Sequence, residues 1–235
     1  MLRNTCPICE NSSVVQVRED LAPHPYLGCA TCGFWYQREL KPKVYEASHE
    51  APGDSMSQHD KDVNRDLARR IFDLTKPTSS LDIGAKYPYL AHCFGELGVE
   101  AWAIDGIPEI MSFSQGLKVS ARPWDFEDPA TVESLPQSLG LITMIHMIEH
   151  LYRPILACVD VYNLLAPGGH FFIRCPANDV RGIDRDFTPG HFTIHPQIWG
   201  KRSLEFMAKK VGFQIVQEYA FEPGQRDMLL RKPTE

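Results

Sequence analysis

Two histidines and a carboxylate gather in one short stretch of this 235-residue chain, His146-Met147-Ile148-Glu149-His150, directly after the apolar residues Leu141, Ile142, Met144 and Ile145. Histidine exchanges a proton near neutral pH, so His146 is the first candidate for an acid, base or orienting group. A second pair, His191 and His195, lies in the segment TPGHFTIHPQ, and His191 is the second candidate. Glu149 admits two readings. It can serve with His146 in catalysis, or, like His150, it can support the start of the following helix, where the dipole favours a carboxylate. A metal site from His146, His150 and His191 is conceivable, but no fixed ligand spacing supports it.

A different chemistry is written at the amino end. Cys6-x-x-Cys9 and Cys29-x-x-Cys32 are separated by 19 residues. Thiolates two residues apart on a tight knuckle can face one ion, and two knuckles complete a tetrahedral S4 site. Structural zinc is expected, with iron as the alternative that S4 sites also accept. Four cysteines leave no open coordination position, so this metal would hold structure and not react. Gly33 suits the turn after Cys32. Phe34, Trp35 and Tyr36 are expected to pack the ribbon onto a neighbour. Its role stays open between a brace, a substrate-recognition arm and a partner-docking site. Cys93, Cys158 and Cys175 read as small buried hydrophobes.

The elements that must position these residues follow from periodicity. Residues 1–40 form the ribbon. Residues 41–60, broken by Pro42, Pro52 and Gly53, read as a linker or lid. Residues 61–235 form the main domain. Val63, Leu67, Ile71 and Leu74 mark one face of an amphipathic helix. From Ser79 strands and helices alternate: a strand over 79–84, a helix closing at Gly98, a strand over 101–105, a helix over 107–117, a strand within 118–125, and a helix over 128–135. Pro154 opens a helix whose apolar stripe is Ile155, Cys158, Val159, Tyr162 and Leu165; Pro167, Gly168 and Gly169 stop it, and Phe171–Ile173 begin a buried strand. Leu204, Met207, Ala208 and Val211 form a helical stripe closed by Gly212. Two strands joined across Pro223-Gly224 end the chain as an antiparallel pair. This alternation predicts an α/β fold with a doubly wound sheet, whose ligands bind at the carboxyl ends of its strands.

An apolar strand, His-x-x-Glu-His-Leu, a helix, Pro-Gly-Gly and a strand ending in Cys175-Pro176 together resemble class I S-adenosylmethionine-dependent methyltransferases, in particular small-molecule enzymes with a His-x-x-Glu-His segment. The resemblance covers roughly residues 60–235. It implies a Rossmann-like seven-stranded sheet with a reversed final strand, and S-adenosylmethionine as cofactor. The family's first loop, Asp-x-Gly-x-Gly-x-Gly, is here Asp82-Ile83-Gly84-Ala85-Lys86-Tyr87-Pro88. Asp82 and Gly84 match; Lys86 and Pro88 replace glycines. Lysine costs more than glycine where φ is positive, but Lys86 could face the cofactor's carboxylate. By resemblance Asp105 takes the ribose hydroxyls, Gly106 and Ile107 lie against the adenine, and Asp125 with the amide of Phe126 meets its edge. Ala85 belongs to the same loop, and His146 lies beside the methyl group.

The resemblance implies methyl transfer to an oxygen or nitrogen of a small-molecule or sugar-like acceptor. Two alternatives carry different expectations: an RNA methyltransferase using the ribbon as an arm, and a non-catalytic interaction protein with a degenerate domain. A net charge of -6 argues against an extended nucleic-acid footprint. No Asn/Asp-Pro-Pro-aromatic tetrad follows the 141–145 strand, and no cysteine stands there as a nucleophile, which disfavours methylation of bases. No apolar run approaches the length of a membrane span, and the amino end lacks the apolar core of a signal peptide, so a cytoplasmic protein is expected.

Overall fold

The computed structural model describes residues 3–12, 14–18, 26–40, 56–176, 195–219 and 225–235. His191 and most of the expected linker lie outside them. The elements in chain order are β1 (Val14–Arg18), β2 (Tyr26–Cys29), β3 (Trp35–Gln37), α1 (Gln58–Thr75), β4 (Ser79–Ile83), α2 (Tyr89–Glu96), β5 (Glu100–Ile104), α3 (Ile110–Phe113), β6 (Ser120–Arg122), α4 (Pro129–Ser134), β7 (Leu139–Ile145), α5 (Pro154–Leu164), β8 (Leu165–Pro176), β9 (Gln197–Ile198), α6 (Lys201–Val211), β10 (Gln214–Tyr219) and β11 (Gln225–Arg231). A 3-10 turn over Ile148–His150 follows β7.

Two sheets result. One has the order β10-β11-β8-β7-β4-β5-β6, and the other β1-β2-β3-β9. In the first, β4 pairs in parallel with β5 and β7, and β5 with β6. β10 and β11 are neighbours in that sheet, joined by the short segment 220–224. This is the seven-stranded Rossmann-like methyltransferase sheet that the sequence predicts.

By internal packing the chain forms two compact units. One comprises Met1–Lys43, His146–Val159 and Ile173–Leu230; the other Val44–Ile145, Asp160–Phe172 and Arg231–Glu235. Within the second, β4 is covered on both faces, Leu81 and Ile83 being buried on one and Ser80 and Asp82 on the other, and β7 buries Leu141, Ile142 and Met144, as an apolar run in a parallel sheet should. Ser57 caps α1 by accepting from the amide of Asp60 at 3.1 Å, and Lys76, left-handed at φ 44°, ends it. Leu67, Ala68 and Ile71 carry its buried face, while Leu74 is 47% exposed, so the apolar stripe is shorter than expected. The expected helix over 107–117 contracts to Ile110–Phe113, because Gly116 turns the chain at φ 75°. At Gly169 a Cβ would stand 2.8 Å from the Leu139 carbonyl, so glycine is needed for that close approach.

Within the first unit, β9 was not foreseen. It is two residues long, yet it pairs with β3 through Trp35↔Ile198 and Tyr36↔Gln197, and so becomes the fourth strand of the ribbon sheet. Phe34 packs edge-on against Trp199 at 4.6 Å between ring centres, both side chains being fully buried, as expected of the aromatic run after Cys32. Among the described residues no helix is long and apolar enough to cross a membrane.

Candidate active site

The parallel register of β4 and β5 sets Ile83 opposite Ile104, so the two strands end together. The chain leaves β4 through Gly84, at φ 78°, where glycine is at ease. The amides of Gly84 and Ala85 both donate to the Ile104 carbonyl, at 2.9 and 3.1 Å. Lys86 takes φ 41°, so a lysine keeps the left-handed backbone usually given to glycine. Its amide donates to Asp105 Oδ2 at 2.8 Å, and the amide of Ile107 to Oδ1 at 3.0 Å. Asp105 is thereby fixed against the turn, and each carboxylate oxygen keeps a further lone pair. The Lys86 ammonium lies 5.5 Å from the centre of the Tyr87 ring. Asp125 is engaged locally, Oδ1 accepting from the Glu127 amide at 2.9 Å; Phe126 is buried, and Asp128 caps α4 through the Ala130 amide.

Asp82 lies beneath the turn. Thr143 Oγ1 donates to its Oδ1 at 2.6 Å. Burial raises the Asp82 carboxyl to about 7, against the Thr143 hydrogen bond, which lowers it; the charge of Asp105 adds a smaller upward push. Because the folded value lies above the ordinary 3.8, the stability tied to this proton is full below that pH and is lost as pH rises through about 7. The Asp82→Asn variant keeps an acceptor for Thr143 and has no proton to lose. It is expected to be more stable than wild type by about 2 kcal/mol near pH 8, and by much less near pH 5, in urea denaturation. An unchanged difference across that range would contradict this.

His146 is the residue after β7, whose Met144 pairs with Ile83 in β4. It adopts φ 52°, in the left-handed region that a residue with a Cβ enters at a cost. Its amide donates to the Arg174 carbonyl at 2.8 Å. Arg174 is itself clamped by Asp227, with Nε to Oδ1 at 2.6 Å and Nη2 to Oδ2 at 3.0 Å, the pair being 4% and 0% exposed. In the sequence the pair shows only as an arginine in the apolar run Phe171–Cys175 and an aspartate beside Met228–Leu230, charges inside strands that are otherwise apolar. Asp227→Ala strands the guanidinium in the interior and is expected to cost about 3–5 kcal/mol in urea unfolding. A cost under about 1 kcal/mol would show the pair to be unimportant to the fold.

The His146 side chain is 42% exposed, and its Nδ1 lies 3.4 Å from Oε1 of Glu149, which is 3% exposed. Glu149 therefore does not simply cap the next helix: the 3-10 turn turns it inward, and α5 begins only at Pro154. His150 packs edge-to-face on His195 at 4.7 Å between ring centres. The turn is held from several sides. Trp199 Nε1 donates to the Ile148 carbonyl at 3.2 Å, Gln197 Nε2 to that of Leu151, and Arg3 Nη2 to that of Tyr152 at 2.5 Å. The ribbon also holds the His195 segment: Tyr26 Oη donates to the His195 carbonyl, and the Gln37 amide to that of Pro196 at 2.9 Å. Burial pushes the Tyr26 phenol up to about 12, against a hydrogen bond from Gln37, so it stays protonated and able to donate.

The Sγ atoms of Cys6, Cys9, Cys29 and Cys32 lie within 4.8 Å of one another, an arrangement that could hold a metal ion. Cys6 and Cys32 are 3.5 Å apart, and Cys9 and Cys29 3.4 Å. Disulfides need about 2.05 Å, whereas the edge of a tetrahedron with metal–sulfur bonds of about 2.3 Å is about 3.8 Å. The Cys32 thiol draws Cys6 down to about 5, and the same contact, with burial, drives Cys32 up. A divalent cation resolves that conflict by replacing the protons.

A sequence model of the methyltransferase-domain family matches residues 56–218, more than half of the chain. The chain belongs to this methyltransferase family. A ubiquinone biosynthesis O-methyltransferase from Xanthomonas euvesicatoria pv. vesicatoria (strain 85-10) is 32% identical over an alignment of 107 residues that covers 41% of this chain and 44% of that one. The corresponding protein of Xanthomonas campestris pv. campestris (strain B100) is 31% identical over 107 residues. The match thus spans less than half the length of these curated relatives. Human N-acetylserotonin methyltransferase, in complex with S-adenosylmethionine, superposes with a TM-score of 0.60 at 20% identity, over 75% of this chain and 54% of that one. A S-adenosylmethionine-dependent methyltransferase from Archaeoglobus fulgidus superposes with a TM-score of 0.57 at 17% identity, over 73% and 94%. At such identities these structures establish a shared fold. The methyltransferase assignment covers β4 to β7 and the turn carrying Asp82 and Gly84; the ribbon, residues 1–40, lies outside the matched segment.

Proposed function

We propose that the chain transfers a methyl group from S-adenosylmethionine to an oxygen or nitrogen atom of a small-molecule acceptor. The observation that carries this reading is the carboxylate of Asp105, tied by the Lys86 and Ile107 amides to the glycine turn at the shared end of β4 and β5. Its remaining lone pairs suit two vicinal hydroxyls of a ribose. Gly84 allows close backbone approach, with Ala85 and Gly106 beside it. Asp125 and the amide of Phe126 are assigned to the purine edge, and Asp82 anchors the turn from below. The bound cofactor supplies a carbon already activated by a sulfonium. The chain's own task is to align an acceptor and to remove its proton.

His146 is assigned as the group that takes this proton, at Nε2, while Glu149 faces Nδ1 and stabilises the imidazolium that forms. The strained φ of His146, fixed by the Arg174 carbonyl, supports that role. His191 is kept as an acceptor-orienting residue. The printed names of the curated relatives favour oxygen as the accepting atom. The acidic chain and a ribbon engaged with its own His195 segment favour a small acceptor over RNA. The four-cysteine cluster is assigned a structural zinc ion with no open position. Titration calorimetry tests the cofactor assignment. Wild type is expected to bind S-adenosylmethionine, and Asp105→Ala, still folded by calorimetric melting, to bind it at least about 100-fold more weakly, since two charge-assisted hydrogen bonds to the ligand are lost. Equal affinities would refute the assignment.

A further inference from the structure

Glu149 is a buried charge of the first unit: its side chain is 3% exposed, and neither carboxylate oxygen has a hydrogen-bond partner. A buried carboxylate is costly unless a cation or several donors meet it. His146 Nδ1, at 3.4 Å, answers at most one oxygen. One ligand atom each from Glu149, His150 and His195 lie within 4.8 Å of one another. These three residues come from two separate segments, and each segment is anchored. Trp199 and Gln197 hold the carbonyls flanking Glu149 and His150, and Tyr26 holds that of His195. Two imidazoles and a carboxylate form a mixed nitrogen–oxygen donor set: the imidazoles suit zinc or iron(II), and the carboxylate also accepts manganese(II). Three protein ligands leave open coordination positions, as reactive metal centres require.

We propose that Glu149, His150 and His195 hold a divalent transition-metal ion, distinct from the one assigned to the four cysteines. Its open position takes an oxygen of the acceptor, making that oxygen's proton easier to remove next to His146. This last role rests on the proposed methyl transfer; the metal site itself does not.

The test uses the full chain with zinc at the cysteine cluster, titrated with manganese(II) without cofactor and followed by electron paramagnetic resonance. Thiolates compete poorly for manganese, so the probe reports the second site. One manganese per chain is expected in wild type. Glu149→Gln and His195→Gln are each expected to weaken its binding by about 100-fold or more, since even supporting residues cost 10–100-fold. Elemental analysis showing one retained zinc per chain establishes that each variant is folded. Absence of a second metal in wild type at millimolar manganese or zinc overturns the proposal, as does undiminished binding in both variants. Metal bound as expected in a chain that fails to bind S-adenosylmethionine would instead sink the methyl-transfer reading and leave this site standing.

Discussion

Cys29→Ser is expected to lower kcat by at least about 100-fold while leaving affinity for S-adenosylmethionine nearly unchanged. Cys29 ends β2, and the strand it anchors carries Tyr26, whose hydroxyl holds the His195 carbonyl. β3, on the far side of the cluster's second knuckle, pairs with β9 and fixes Gln197, which in turn holds the Leu151 carbonyl just past Glu149 and His150. A ribbon of this size cannot sustain its strands by burial alone, so loss of its metal releases all of these restraints together. A displacement near 1 Å of a group that acts on the acceptor costs about 100-fold. Asp82, Gly84 and Asp105 belong to the other compact unit, which explains the retained cofactor affinity. The serine variant is cleaner than a chelator, which would compete for any other bound metal. A metal-free Cys29→Ser protein with wild-type kcat would show that the ribbon does not support the histidine segment.

His146→Gly is expected to lower kcat by about 10²–10⁴-fold, the usual worth of a positioned base. The same variant is expected to be as stable as wild type, or more stable by up to about 1 kcal/mol. A non-glycine residue in the left-handed region carries about 1–2 kcal/mol of strain, which glycine relieves, offset by glycine's larger loss of chain entropy. The exposed imidazole contributes little packing that the change could remove. Gain or retention of stability joined to loss of turnover distinguishes a catalytic residue from a structural one. Calorimetric melting and single-turnover rates measure the two effects. A variant with near wild-type turnover would remove His146 from the mechanism.

Much of the domain was legible because its signals are local or periodic. The apolar run over 139–145 reads as a strand buried on both faces, and Gly212 marks the end of α6, where it adopts φ 105°. The paired Cys-x-x-Cys knuckles brought four sulfurs together as their spacing required. What escaped depends on long-range pairing. Nothing in Gln197-Ile198 announces a strand, because two residues have no period; β9 exists only through its partner β3. Tyr26 reads as one aromatic among several until its hydroxyl is seen on the His195 carbonyl, 169 positions away. His195 looked secondary to His191 because spacing along the chain cannot show which histidine meets His150. Lys86 is instructive in the opposite sense. A lysine where glycine is usual suggested a changed turn, yet the backbone keeps the positive φ, since Asp105 binds its amide and not its side chain.

The most direct measurement is a crystal structure of the zinc-loaded protein with S-adenosylhomocysteine. Both ribose hydroxyls are expected on the Asp105 carboxylate, with the backbone of Gly84–Lys86 against the ligand. A ligand bound elsewhere, or one whose ribose makes no contact with Asp105, would contradict the account.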